Sequence, residues 1–330
     1  MKAVLIDEKT KALSWSDVPN PVLGDDDCMV QIHAAALNRA DLMQRAGQYP
    51  PPPGCPDWMG LEIAGVITEM GEGAKEKSNW KIGDKVCALL GGGGYAEYAN
   101  IKYDMLMPVP EGCDFVEAAA LPEAFATAYL NLFHEGGLKA GDTLLMHAGA
   151  SGLASVVIPM AKAFGARVIT TVITDEAAKA IENLGADMIV NTMTTDISKV
   201  LEAEKEAGRP VDVAIDCLGG DMCGKCLPFM RYGGRWIMIA TLAGDMTEVD
   251  LRKLYVVNVR LIGSTLRSKS PEFKAKLLGE LVEKVWPKVT TGEVKPTIYK
   301  VLPITEAEAA HAILERGENV GKVVLTVEHK

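Results

Sequence analysis

A run of small residues follows a short apolar segment in the middle of the chain. Leu144–His147 leads into Ala148–Ala154, and a stretch of helical length comes next. Such a turn lets the backbone approach a phosphate closely, while the free N–H groups and the dipole of the new helix attract the anion. Only Gly149 and Gly152 supply glycines of the G-x-G-x-x-G fingerprint. The loop therefore predicts a dinucleotide site if its neighbours support one, and is otherwise an ordinary turn.

The segment after the next apolar run contains the residues that usually separate NADH from NADPH. A carboxylate there binds the ribose hydroxyls of NADH, whereas basic residues meet the 2′-phosphate of NADPH. This chain offers Thr174, Asp175, Glu176 and Lys179, which include both charges. Thr174 would equally suit the cap of a helix whose first turn contains Asp175 and Glu176. The residues alone leave both interpretations open.

No histidine or cysteine pattern predicts a metal centre. The five histidines are scattered, and none forms an H-x-x-x-H or H-x-x-E-H motif. Cys223 and Cys226 have C-x-x-C spacing, but a structural zinc site needs four ligands and no second C-x-x-C is present. Two thiols buried in a helix are the favoured interpretation, and a redox pair is the alternative.

The elements that would position these residues change in character along the chain. Before about Ala120, extended runs such as Met29–Leu37 and Leu61–Met70 are separated by loops rich in glycine and proline, which predicts a β-rich domain. From about Leu144, strands and helices alternate, which indicates a parallel, doubly wound sheet of the Rossmann type. The predicted strands are Leu144–His147, Val168–Thr171, Met188–Val190, Val213–Asp216, Trp236–Ala240 and Leu261–Ile262. The predicted helices are Ser151–Phe164, Asp175–Leu184, Asp196–Ala207 and Met222–Met230.

Two amphipathic segments and a final apolar run follow about Lys269. They are Pro271–Val285, Thr305–Arg316 and Lys322–Val327. They need not extend the parallel sheet, and a return to the N-terminal domain is the alternative.

Length and composition limit the class of protein. A chain of 330 residues is long enough for two domains. Its net charge of −10 has the wrong sign for capturing nucleic acid. No apolar stretch reaches the roughly 18 residues of a membrane span, and the Met1–Ile6 run is too short for a signal peptide and predicts a first strand. Seven scattered cysteines suit a reducing compartment, so we expect a soluble, cytoplasmic protein with no nucleic-acid or membrane partner.

Four segments of the sequence carry a resemblance to a known family. They are Leu37–Arg45 with Gly47–Tyr49, Trp80–Asp84, Leu106–Gly112 and His147–Gly152. On these residues the chain resembles the zinc-free quinone oxidoreductases of the medium-chain dehydrogenase/reductase superfamily, and most closely the subgroup that includes the tumour-suppressor-inducible quinone oxidoreductase. The resemblance covers essentially the whole length.

The resemblance implies both the architecture and the absence of metal. A GroES-like catalytic domain over residues 1–121 and 269–330 would be interrupted by a Rossmann domain over residues 122–268. Zinc-dependent relatives place a cysteine where this chain has Asn38 and a histidine where it has Leu61. Neither side chain can replace those ligands, so the expected enzyme contains no metal.

The resemblance also implies where the cofactor binds. The nicotinamide is expected near Asn38, Tyr49 and Thr127, with the backbone of Ser264, Thr265 and Leu266 beside the carboxamide. The full set of expected contacts is Asn38, Tyr49, Thr127, Gly149, Ala150, Ser151, Gly152, Leu153, Thr174, Lys179, Thr192, Thr241, Leu242, Ser264, Thr265, Leu266 and Lys322.

The preferred dinucleotide is less well marked. Relatives that use NADPH carry a lysine at Ala177, and the close subgroup has a tyrosine at Thr192, so the grip on the 2′-phosphate is weakened. Lys179, Arg316 or the hydroxyl of Thr174 are candidates to compensate. The aspartate that selects NADH in zinc-dependent relatives is also replaced, by Val172. NADPH is therefore the expected cofactor, with NADH as the alternative.

The expected reaction is hydride transfer from NAD(P)H to a small quinone. It leaves negative charge on an oxygen, which a well-placed donor stabilises by roughly 3 kcal/mol. Tyr49 is the candidate donor, assisted by the Asn38 amide, although the Tyr49 ring would also suit the wall of an apolar pocket. Asp41 would orient its neighbours or cap the turn at Asn38–Arg45, and capping is the favoured role.

Two other functions and a partner are also consistent with the sequence. The same fold and hydride step would reduce activated C=C bonds in enals, enones or enoyl thioesters. A non-catalytic protein that senses NAD(P)H is the alternative of another class. Relatives form dimers by pairing sheet edges, and Val256–Gly263 would supply that edge here, so a homodimer is expected.

Overall fold

The computed structural model describes residues 1–329 and divides into two units. The first contains residues 1–126, 270–291 and 296–330, of which Lys330 lies outside the described residues, and the second contains residues 127–269 and 292–295. The strands are β1 (Lys2–Ile6), β2 (Leu13–Asp17), β3 (Asp27–Ala36), β4 (Glu62–Met70), β5 (Lys85–Leu89), β6 (Tyr98–Lys102), β7 (Leu106–Pro108), β8 (Thr143–Met146), β9 (Arg167–Val172), β10 (Met188–Asn191), β11 (Val211–Asp216), β12 (Met230–Met238), β13 (Arg260–Gly263), β14 (Ile298–Pro303) and β15 (Lys322–Thr326). The helices are α1 (Arg39–Arg45), α2 (Glu72–Lys77), α3 (Phe115–Ala119), α4 (Pro122–Tyr129), α5 (Ala154–Ala163), α6 (Asp175–Ala180), α7 (Ile197–Glu206), α8 (Asp221–Cys226), α9 (Leu251–Val257), α10 (Pro271–Lys284), α11 (Trp286–Thr290) and α12 (Ala307–Arg316).

The first unit is built on a seven-stranded sheet in the order β14-β15-β3-β4-β5-β7, with β6 also paired to β3. Strand β3 runs antiparallel to both β4 and β15, which carry Ile63 opposite Ala35 and Val324 opposite Ala36. The final apolar run therefore joins the N-terminal sheet, as the sequence allowed. Its core includes Ile32, Ile63 and Tyr95, each fully buried.

The second unit is a six-stranded parallel sheet in the order β10-β9-β8-β11-β12-β13. The order reverses between β8 and β11, which is the doubly wound topology that binds ligands at the carboxyl ends of its strands. Leu145, Ile169 and Trp236 are fully buried in its core. The predicted fold class, a GroES-like domain with a Rossmann sheet, is confirmed.

One predicted edge strand is shorter than expected. Val256 lies in α9, because the Asp250 carboxylate caps that helix and Asn258 ends it with a left-handed φ of 51°. The strand itself spans only Arg260–Gly263, so the prediction of an edge over Val256–Gly263 was wrong in its first half. Among residues 1–329, no helix is long and apolar enough to cross a membrane.

Candidate functional site

The turn after β8 presents unoccupied backbone donors at the carboxyl edge of the parallel sheet. Ala148 has a left-handed φ of 55°, which redirects the chain immediately before Gly149. The N–H groups of Ala150, Gly152 and Leu153 find no acceptor among residues 1–329. Such donors, followed by the N-terminus of α5, suit the pyrophosphate of a dinucleotide.

Close packing fixes the first glycine of this turn. A Cβ on Gly149 would lie 2.4 Å from Thr170 Oγ1 and 2.8 Å from Ile181 Cδ1. The Gly149 N–H donates to the Thr171 carbonyl over 2.7 Å. The turn is therefore pressed against β9, and a side chain at residue 149 would push it away from that strand.

A buried histidine supports the turn from below. His147 Nδ1 lies 3.0 Å from Thr171 Oγ1, and the imidazole packs against Trp236. Burial lowers the pKa of His147, and nearby Asp216 acts in the opposite direction. The Asp216 carboxylate accepts from the Trp236 indole N–H over 3.2 Å. These contacts give His147 a structural role at the ends of β8 and β11.

Polar side chains at the ends of β9 and β10 already have partners. Thr174 Oγ1 accepts from the Ala177 N–H over 3.0 Å, which confirms it as the cap of α6. Asn191 Nδ2 donates to Asp175 Oδ1 over 2.7 Å. The Thr192 hydroxyl donates to the backbone of β9 over 3.2 Å. Helix capping thus accounts for Thr174 without a cofactor.

A cavity lies beside the residues that follow the carboxyl end of β10. Its volume is about 420 Å³, and its walls are formed by residues 192–198 with Met222 and Lys225. Lys179 is exposed on α6. Arg316, another candidate for the 2′-phosphate, belongs to the first unit and pairs with Glu318.

A buried hydroxyl follows the last strand of the parallel sheet. The Ser264 N–H donates to the Met238 carbonyl over 2.9 Å, but Ser264 Oγ is buried without a partner in the part of the chain that the structure describes. Leu266 is buried and Thr265 is exposed. Because an unsatisfied buried hydroxyl is costly, it suits a ligand with a polar group such as a carboxamide.

The loop after β12 holds two more predicted residues. Thr241 Oγ1 donates to Asp245 Oδ1 over 2.5 Å, and Leu242 is 62% exposed. An apolar side chain this exposed beside the sheet edge is available to a ligand.

The first unit brings Asn38, Glu62 and Lys322 together. Because β3 is antiparallel to β4 and β15, its carboxyl end meets the starts of both neighbours. Lys322 Nζ lies 2.5 Å from Glu62 Oε1 and donates to Asn38 Oδ1 over 2.7 Å. Asn38 Nδ2 donates to Glu62 Oε1 over 2.9 Å. The side chains of Glu62 and Lys322 are 0% and 5% exposed, so this is a buried ion pair with an amide bridging it.

Asp41 lies next to Asn38 and combines the two roles that the sequence offered as alternatives, capping a helix and orienting its neighbours. Its carboxylate accepts from the Asn38 N–H over 2.8 Å, which is half of a capping box. It also accepts from the Gly60 N–H and from the Tyr95 hydroxyl. Burial raises the pKa of Asp41 to about 6, and these hydrogen bonds limit the rise. Asp41 therefore both caps α1 and orients its neighbours.

The remaining predicted residues lie in separate units. Tyr49 is half-buried in the loop after α1, ahead of the proline run Pro50–Pro53. Thr127 lies on α4 in the second unit, where its carbonyl accepts from Asn131 Nδ2 over 2.8 Å.

Comparison with known proteins identifies the family. Residues 24–111 match the alcohol dehydrogenase GroES-like domain, and residues 152–283 match the zinc-binding dehydrogenase family. The chain is 30% identical to the quinone oxidoreductase of Mus musculus over 316 residues, which cover 94% of this chain and 92% of the relative. The chain belongs to the quinone oxidoreductases of the medium-chain dehydrogenase/reductase superfamily. It belongs to their zinc-free branch, as the sequence predicted.

Two solved structures agree with this assignment. A mycobacterial protein complexed with NADPH superposes with a TM-score of 0.84 at 25% identity, covering 99% of both chains. A 2-haloacrylate reductase superposes with a TM-score of 0.82 at 27% identity, covering 100% of both chains. The fold and these relatives support an oxidoreductase with a nicotinamide cofactor.

Asn38 and Leu61, which stand where zinc-dependent relatives were expected to have ligands, make other contacts in this chain. The Asn38 amide bridges Glu62 and Lys322, and Leu61 is buried. Among residues 1–329, no group of three or more His, Cys, Asp or Glu side chains could hold a metal ion.

The C-x-x-C pair lies inside the second unit. Cys223 and Cys226 are 2% and 0% exposed on α8, and burial raises the pKa of each thiol to about 12. Protonated, inaccessible thiols are poor nucleophiles, so the interpretation as buried helix thiols is confirmed.

Sequence reasoning missed Glu62 and Thr170. Glu62 is an acidic residue that opens a strand with an apolar, buried sequence, and a charge there signals a buried partner. Thr170 is a polar residue within a buried strand. Neither signal names the partner.

Proposed function

We propose that this chain is an NAD(P)H-dependent quinone oxidoreductase that reduces small quinones without a metal. The observation that carries the proposal is the match to quinone oxidoreductases over 94% of the chain. The open N–H groups of Ala150, Gly152 and Leu153 and the unsatisfied Ser264 hydroxyl support the binding of a dinucleotide.

The bound dinucleotide supplies a hydride, and this chain's residues do the rest. The turn at Ala150, Gly152 and Leu153 would bind the pyrophosphate, and Ser264 would accept or donate at the carboxamide. Tyr49 and the Asn38 amide are the proposed donors to the acceptor oxygen as it gains negative charge. Thr127 would complete the wall around the reacting ring, as the family resemblance suggests.

Reduction of activated C=C bonds is the second candidate function. The observation that favours it is the structural match to a 2-haloacrylate reductase, whose named substrate is an α,β-unsaturated carboxylate. Hydride transfer to such an acceptor also places negative charge on an oxygen, so the same donors would serve.

NADPH is the proposed dinucleotide, and NADH is the alternative. A related structure contains NADPH, and exposed Lys179 follows β9 at a distance of one helical turn from Asp175. Asp175 and Glu176 oppose a 2′-phosphate by their charge. The cavity lined by Thr192 is the proposed place for the adenosine end.

The deciding experiment is a matrix of NADH and NADPH against quinones and α,β-unsaturated carbonyls, with cofactor oxidation as the readout. We expect turnover with quinones and a higher kcat/KM for NADPH. Exclusive turnover of enals or enones would favour the second candidate. Tight dinucleotide binding with no turnover of any acceptor would instead support a non-catalytic sensor.

We also propose a cytoplasmic homodimer that acts on a small-molecule acceptor and binds neither nucleic acid nor a membrane. Strand β13 pairs only with β12 in the described sheet, so its outer edge is open. Leu251, Tyr255 and Leu261 beside it are 70%, 68% and 48% exposed. A second copy pairing edge to edge would cover them.

A further inference from the structure

The amide of Asn38 has only one chemically sensible orientation. Lys322 has donors and no acceptor, whereas the Glu62 carboxylate has acceptors and no donor. Asn38 must therefore turn Oδ1 to Lys322 and Nδ2 to Glu62, at 2.7 and 2.9 Å.

This arrangement leaves one hydrogen of the amide open. Glu62 takes one of the two Nδ2 hydrogens, and the other has no acceptor among residues 1–329. Asn38 is half-buried, so that hydrogen can reach a ligand. An ammonium bound at the amide oxygen also polarises the group, which strengthens its remaining N–H as a donor.

Both partners are themselves held in place. Glu62 Oε2 accepts from the Glu123 N–H over 2.8 Å, so the carboxylate has little freedom to rotate. The Lys322 backbone N–H donates to the Thr297 carbonyl over 2.7 Å. Because both of its partners are constrained, the Asn38 amide needs little reorganisation when negative charge appears beside it.

We propose that Glu62 and Lys322 are positioning residues for reduction: they lock the Asn38 amide so that its open N–H stabilises the acceptor oxygen. The inference rests on the proposed function. It differs from a direct contact between Lys322 and the cofactor, because it requires Lys322 to act through Asn38.

The test uses the double variant E62Q/K322M, since Lys322→Met alone would leave a buried carboxylate unpaired. We expect kcat with a quinone to fall at least about tenfold, while KM for the dinucleotide and the Tm stay near the wild-type values. The single variant K322R keeps the cation beside Glu62 and should therefore retain most of the wild-type turnover. E204Q is the matched control, because Glu204 is another buried, ion-paired carboxylate, held by Arg167 and Arg209 in the second unit.

The outcomes separate the alternatives. Unchanged kcat in E62Q/K322M would overturn the inference, and so would a raised dinucleotide KM with kcat retained, which would make Lys322 a cofactor contact. A wild-type protein that reduces no acceptor would refute the proposed function instead. In that case the Nδ2 resonances of Asn38, assigned by their loss in Asn38→Ala, still report on the lock. Their chemical shifts should change in E62Q/K322M. Unchanged shifts would overturn the inference that Glu62 and Lys322 hold the Asn38 amide in place.

Discussion

Gly149 has no room for a side chain, although its φ is not in the left-handed region. A Cβ would lie 2.4 Å from Thr170 Oγ1, within β9. Gly149→Ala should therefore lower the free energy of unfolding by about 1–3 kcal/mol through overpacking. The turn must also move, so we expect the Kd for the dinucleotide to rise about tenfold, which corresponds to about 1.4 kcal/mol.

Thr170→Ala is the compensating change. It removes Oγ1 and Cγ2, two of the three atoms nearest to the added Cβ. It also breaks the 2.8 Å hydrogen bond from Thr170 to the Met146 carbonyl, at a cost of about 1 kcal/mol. The double variant should be more stable than the sum of the single effects by at least about 1 kcal/mol. Its dinucleotide Kd should return close to that of Thr170→Ala.

Urea unfolding and dinucleotide titration measure both quantities. Gly279→Ala is the control, because a Cβ there meets nothing within 4 Å, and alanine should be neutral or stabilising in that helix. Strictly additive costs in the double variant would refute the steric reasoning, as would a Gly149→Ala protein that binds the dinucleotide normally.

Three further predictions test other parts of the molecule. Tyr49→Phe should lower kcat with a quinone and leave the dinucleotide Kd unchanged; steady-state kinetics showing full turnover would exclude Tyr49 as a donor. Leu261→Glu should place charge on the open edge of β13 and convert a dimer to a monomer by light scattering, whereas an unaltered mass would locate the interface elsewhere. Asp41 has a pKa of about 6 in the folded protein against an ordinary 3.8, so protonation favours folding. The resulting contribution of Asp41 to the free energy of unfolding is about 3 kcal/mol. It is fully present below about pH 4 and is lost as the pH rises through 6. Urea titrations of Asp41→Asn should lack that loss, and an identical pH profile in both proteins would contradict the raised pKa.

The alternation of apolar runs and helical segments was sufficient to predict the parallel sheet. Each predicted strand from Leu144 to Ile262 overlaps an observed one, because the strands of a parallel sheet are mostly apolar along their length. The start of β12 was missed, since Met230–Gly234 contains two glycines and its pairing with β11 shifts register. Glycine and irregular pairing weaken the sequence pattern of a strand.

The end of the sheet shows the limit of apolar runs as a guide. Tyr255–Val257 consists of an aromatic residue and two β-branched valines, which favours a strand by composition. The Asp250 side chain accepts from the N–H groups of Arg252 and Lys253, and these capping bonds start a helix instead. The cap was visible in the sequence, but its strength relative to strand propensity was not.

The polar group at Asn38 could not be assembled from the sequence by physical reasoning. Glu62 and Lys322 each stand at the start of an apolar run, and each position alone indicates only a buried charge that needs a partner. Their pairing depends on β3 lying between β4 and β15, which is a property of the sheet order. Long-range pairing of this kind leaves no local periodicity.

Under the proposed function, each unit is expected to affect a different kinetic quantity. In the second unit, the turn at residues 148–154 has open N–H donors and is packed against β9, so we expect its integrity to govern dinucleotide affinity. In the first unit, the Asn38 amide has one open hydrogen and is held by a buried ion pair, so its integrity should govern the rate of reduction. Gly149→Ala is therefore expected to act mainly on Kd, and E62Q/K322M mainly on kcat. If both changes altered affinity alone, the donor at Asn38 would have no part in stabilising the transition state.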